Sequence, residues 1–92
     1  MTNKNITLTW EPSLRIKYDE MISKIPMFHR AIAKQVVDKK AIINAQERSS
    51  QIIEEGDVVR AFLTEVPMTF YSLMIRLFED VGFDYRKYEK YG

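Results

Sequence analysis

The chain contains no cysteine. That absence excludes thiol nucleophiles, disulfide frameworks, cysteine-ligated zinc and iron–sulfur clusters together. Histidine occurs once, as His29, without the second histidine or the serine or cysteine partner that metal binding or nucleophilic catalysis would need. It reads as a surface or helix-start histidine. Glycine is scarce and its residues stand alone, so there is no glycine-rich loop to cradle phosphate. An excess of one charge is also missing. The net charge of +1 gives no global basic field to collect nucleic acid. No apolar run approaches the ~20 residues of a transmembrane helix, and the opening MTNKN does not read as a signal peptide. A cytoplasmic protein with no membrane partner is the expectation.

What is present is the composition of one globular domain. The chain is 46% hydrophobic and 29% charged, and 92 residues can close a modest core without staples. The acidic pairs Asp19/Glu20, Glu54/Glu55 and Glu79/Asp80 are each adjacent in sequence. Neighbours on a helix point about 100° apart, so these pairs do not converge on a substrate and read as capping or solubility. No metal-ligand spacing occurs, no cofactor is implied and no catalytic constellation forms. The expectation is a protein that is not an enzyme.

Charge is unevenly distributed. Residues 1–46 carry eight Lys/Arg against four Asp/Glu, and residues 47–92 carry six against nine. Lys24, Arg30, Lys34, Lys39 and Lys40 surround the first long helix. They read either as a solvated face or as a docking surface for an acidic partner or phosphates.

Proline and the internal glycines divide the chain. Residues 1–9 form an N-terminal arm, and residues 10–92 form a single helical domain. Pro12 opens a first helix, its missing N–H harmless at the first helical position. Leu14, Tyr18, Met21, Ile22 and Ile25 then recur at helical steps. Pro26 ends that helix and starts a second, from about Met27 to Glu47. There Phe28, Ile32, Val36 and Ile43 share one sector, while Val37, Ala41 and Ala45 share another. Two apolar sides predict a central helix touched by several neighbours.

Residues 48–53 read as an extended connector. Glu54, Glu55 and Asp57 supply an acidic first turn for a third helix, about Glu55 to Glu65. Pro67 opens an amphipathic fourth helix that stops at Gly82. Its stripe is Phe70, Leu73, Met74, Leu77, Phe78 and Val81, with Tyr71 and Ile75 on the flank. The tail places tyrosines at 85, 88 and 91 among cations. That spacing suits either a docking stripe or stacking on bases. The five methionines suit adaptable packing or a pliable binding groove. The expected fold is all-α, with four helices. Its core would join Trp10, Ile22, Ile25, Phe28, Ile32, Val36, Phe62, Leu73, Leu77 and Phe78.

The stretch W-E-P…K-I-P-M-F-H-R-A-I-A-K, followed by I-I-E-E-G-D-V-V-R-A-F, resembles a known family. It is similar to the PCP-reductase domain, the small C-terminal helical domain of the light-independent protochlorophyllide reductase B subunit. Trp10, Lys24, Ile25, Pro26, Phe28, Arg30, Ile53, Val58 and Ala61 carry the resemblance, which covers residues 10–63. Residues 64–92 add a C-terminal helix and tail, of which residues 66–92 have no counterpart there. The reductase's redox chemistry resides in a large body with cluster-binding cysteines, which this chain lacks. The resemblance therefore implies a non-catalytic interaction module that docks on a redox or tetrapyrrole-related partner. The same span also resembles a histone fold, a helix–long helix–helix unit, and the alternative is a histone-like dimeric DNA-binding protein. The near-zero net charge argues against nucleic acid as the partner. Arg30 and Lys34, one turn apart, are the expected polar contacts to a protein partner. Tyr71 and Ile75 are the expected contacts of a homodimer or partner groove.

Overall fold

The computed structural model describes residues 8–89, so most of the N-terminal arm and Tyr91 lie outside the described residues. The chain runs β1 (Thr9–Trp10), α1 (Pro12–Ser23), α2 (Met27–Glu47), β2 (Ile52–Ile53), α3 (Glu55–Glu65), a 3₁₀ turn (Met68–Phe70), α4 (Tyr71–Val81) and α5 (Arg86–Glu89). The all-α expectation holds. The two strands are a two-residue parallel bridge, Thr9 beside Ile52 and Trp10 beside Ile53, which ties the entry of α1 to the entry of α3.

The helix boundaries follow from local chemistry. Glu11 caps α1, its carboxylate accepting the Leu14 N–H at 2.8 Å, with Pro12 in the first turn. Pro26 has no N–H to continue a helix and forces Ile25 out of the helical region, so α1 and α2 meet at an angle. At the other end of α2, Ser49 takes a left-handed conformation (φ 59°). The Ser50 N–H reaches the Ala45 carbonyl at 3.0 Å and the Ser49 N–H reaches Gln46 at 2.9 Å, the paired bonds of a Schellman stop. Gly82 ends α4 with φ 88°.

Glu54 and Asp57 form a reciprocal cap at the start of α3. Asp57 is fully buried, and the Arg48 guanidinium grips it in a fork, Nε to Oδ1 at 3.0 Å and Nη2 to Oδ2 at 2.6 Å. The Asn44 amide donates to the Asp57 carbonyl at 2.9 Å, so the end of α2 is bolted to the start of α3.

The core centres on Tyr18, Phe62 and Phe78. Phe62 meets Tyr18 and Phe78 edge to face, with ring centroids 6.0 and 5.6 Å away. Trp10, half-buried, stacks on Tyr18 at 5.1 Å. The Tyr18 hydroxyl donates to the Asp38 carboxylate, which Lys34 also holds at 2.7 Å. Burial first, and the Asp38 carboxylate second, raise the Tyr18 phenol far above its usual value, so it remains a protonated donor.

The tail belongs to this core. Phe83 and Tyr85 are buried beside Phe78, with centroids 6.0 and 5.7 Å from it. Tyr88 lies flat on α3 at Gly56, where an added Cβ would stand 2.8 Å from the ring. Of the tail tyrosines described, both 85 and 88 thus pack against the protein.

One expectation about the core is overturned. Ile22, Phe62, Leu77 and Phe78 are buried as expected, but Phe28 is 95% exposed and Ile32 66% exposed. Only one of the two apolar sectors of α2 is fully covered among the described residues. Val37, Ala41 and Ala45 are fully buried, while in the other sector Phe28 and Ile32 face outward and Val36 is half-buried against the core. Among the described residues no helix covers Phe28 and Ile32.

Candidate functional site

Two proline junctions, α1 to α2 at Pro26 and α3 to α4 at Pro67, fall at the same end of the molecule. Between them opens a trough of about 370 Å³. Its floor is core: Met21, Phe62, Met74 and Leu77 reach it from α1, α3 and α4. Ile25, Phe28, Ile32 and Val36 form one wall. Val66, Phe70 and Leu73 form the other. The His29 ring leans on Phe70 with centroids 5.3 Å apart, bridging the two walls. Met27 and Met68 follow the two prolines directly, and both are strongly exposed.

The trough arises from the same features that terminate the helices. Each proline turns the chain, and the two pairs of helices it joins diverge from that corner. α4 packs mainly on α1 and α2 mainly on α3, which leaves the N-terminal half of α2 and the start of α4 apart. Phe28, Ile32 and Val36 are spaced one turn apart, so they line a straight helical wall.

Chemically the trough is nearly all hydrocarbon. Its titratable lining groups are His29 and Glu65, one on each side. Among the described residues no group of three His, Asp or Glu could hold a metal ion. What the trough can do is take apolar groups out of water, each buried CH₂ contributing about 0.8 kcal/mol.

The residues expected to meet a partner occupy other places. Arg30 is spent within the chain, its Nη2 donating at 3.0 Å to the carbonyls of both Ser23 and Ile25. It thereby satisfies carbonyls left open at the end of α1. Lys34 is paired with Asp38. Tyr71 and Ile75 are half-buried on the side of α4 away from the trough, and the Tyr71 hydroxyl donates to Glu89. That bond to a carboxylate, with some burial, raises the Tyr71 phenol above its ordinary value. The structure thus does not bring Arg30, Lys34, Tyr71 and Ile75 together on one surface.

An Arg30→Ala variant is expected to lose about 1–2 kcal/mol in urea denaturation, since hydrogen bonds from a charged donor to two carbonyls vanish. Arg30→Lys should recover only part, because a point charge cannot span both carbonyls as the guanidinium does. A loss below ~0.5 kcal/mol for the alanine variant would show that water replaces those bonds at no cost.

Compared with protein-family models, with curated proteins and with solved structures, the chain matches none. No helix among the described residues is by itself long and apolar enough to cross a membrane.

The sequence pattern puts Phe28 and Ile32 in the core, where the structure exposes them, and does not single out Val66 as a lining residue. The signal was nevertheless present. A helix with two apolar sectors needs two partners, and the described residues cover only one sector fully.

Proposed function

We propose that the chain is a non-catalytic helical interaction module whose working surface is the trough beside Phe28. One observation carries this reading: a phenylalanine 95% exposed, at the lip of an apolar trough walled by two helices. An exposed aromatic at such a lip costs free energy in isolation and recovers it on contact, the pattern of an interface anchor. The two walls suit a helix laid between them, with large side chains at one-turn spacing entering the trough. The four methionines near the trough, 21, 27, 68 and 74, can adjust to an incoming surface.

The resemblance to the PCP-reductase domain supports a redox or tetrapyrrole-related protein as the larger partner. Four residues of its most distinctive segment, Ile25, Pro26, Phe28 and His29, line one end of the trough. A histone-like dimeric DNA-binding protein remains the rival, and it asks for free cations. Arg30 is engaged on carbonyls and Lys34 on Asp38, which favours the interaction module.

The test is site-specific photo-crosslinking in the native cell. A photoreactive residue at position 28 or 32 should give an adduct with an identified redox or tetrapyrrole-handling protein. The same residue at Ile16, equally exposed on α1, should give none. Equal adducts at all three positions, or none at any, would overturn the reading.

A further inference from the structure

We infer that, when no larger partner is present, the trough is closed by a second copy of this chain. The two copies would be related by a two-fold axis, with Phe28 and Ile32 of each α2 entering the trough of the other. This rests on the reading of the trough as a protein-contact surface and names its resting occupant.

Three observations support a second copy. First, the chain carries the helix that its own trough requires. Phe28 and Ile32 stand out from α2 one turn apart, and they border a trough of about 370 Å³ with room for side chains of that size. A projecting knob beside a recess on one face is self-complementary under a two-fold rotation, because each knob meets the partner's recess.

Second, the charges on the two rims are opposite. Lys39 and Lys40 flank the α2 stripe in the turn after Val36. On the other side Glu65 lines the trough, Asp80 lies beside Leu77 and Arg76 beside Leu73, so that rim keeps a single net negative charge. Turning one copy's α2 rim onto the other's α3–α4 rim brings lysines to carboxylates.

Third, the open apolar area reaches the lower end of what a specific interface buries, ~600 Å² per partner. With the areas that large side chains present, Phe28, Ile32, Phe70, Met27 and Met68 at their observed exposures leave roughly 600–700 Å² open. A standard interface covers ~800 Å² per partner.

The experiment is sedimentation equilibrium on the purified full chain over a wide concentration range. The wild type should approach twice the 10.9 kDa chain mass. Phe28→Asp should weaken association at least ~30-fold, as loss of a hot-spot residue does. Because Phe28 is exposed in the single chain, the variant should keep its helical circular dichroism, and Ile16→Asp should associate like wild type. Lys39→Glu should weaken the dimer, and adding Asp80→Lys should restore part of the loss. A monomer at every concentration overturns the proposal, as does a dimer indifferent to Phe28→Asp. A monomer whose positions 28 and 32 still cross-link to a different protein removes the second copy and leaves the contact reading standing. A monomer with no cross-link removes both.

Discussion

Phe62→Ala is expected to destabilise the chain by roughly 3–5 kcal/mol, the range for emptying an aromatic site in a packed core. Phe62 is 1% exposed, sits between the rings of Tyr18 and Phe78, and also floors the trough. Phe28→Ala removes a ring of the same size from a site open to water. At concentrations where the chain is monomeric it should shift stability by less than ~0.5 kcal/mol, as surface substitutions do. Urea denaturation of the two variants side by side checks the contrast. If Phe62→Ala cost under ~1 kcal/mol, α3 would not pack where it is placed. If Phe28→Ala cost as much as Phe62→Ala, Phe28 would belong to the core and the trough would not exist as described.

The other large effect is expected at the bolt between α2 and α3. Arg48→Ala leaves the fully buried Asp57 carboxylate with the Glu54 N–H at 2.9 Å and Arg60 at 3.7 Å. Breaking a buried pair by removing one member costs ~3–5 kcal/mol. Arg48 is itself partly exposed, and water can enter in its place, so the loss should fall near the lower end, about 3 kcal/mol. The pair holds the Arg48 guanidinium above its usual value, chiefly through its hydrogen bonds to Asp57. Arg48→Lys should recover less than half of the loss, because it cannot reproduce the fork. The alanine variant also removes the Arg48 bond to the Ile52 carbonyl at 3.2 Å. A double-mutant cycle with Asp57→Ala separates the two contributions. A coupling near zero would mean that the fork contributes nothing beyond the cap.

The elements were legible where local chemistry sets them. Pro12, Pro26, Pro67, Gly82 and the Glu54–Asp57 cap each act within a few residues, and the α1, α2 and α3 boundaries fall where those residues place them. Residues Met68–Phe70 form a 3₁₀ turn before α4 proper, which the apolar stripe alone does not distinguish from α-helix. Burial was less legible, because periodicity shows that a face is apolar without showing what covers it. Val37 and Phe28 look alike in the pattern of α2, yet one is fully buried and the other almost fully exposed. Arg30 and Lys34 likewise read as free cations until the Ile25 carbonyl and the Asp38 carboxylate are placed beside them. Partners distant in sequence, such as Phe83 and Tyr85 on Phe78, close the core in a way that the short tail did not announce.

The trough joins these strands. A helix patterned for two partners, two prolines that open a corner, and an aromatic left in water at its lip are one arrangement. Its central claim is that contact with another protein surface, a second copy included, is made at this trough. The most direct test is a map of amide and methyl chemical shifts as the purified chain is concentrated. The account predicts shifts that cluster on Ile25, Phe28, Ile32, Val36, Phe70 and Leu73, and that vanish in Phe28→Asp. A spectrum that does not change with concentration would remove the second copy as occupant, and shifts centred instead on Tyr71 and Ile75 would contradict the claim itself.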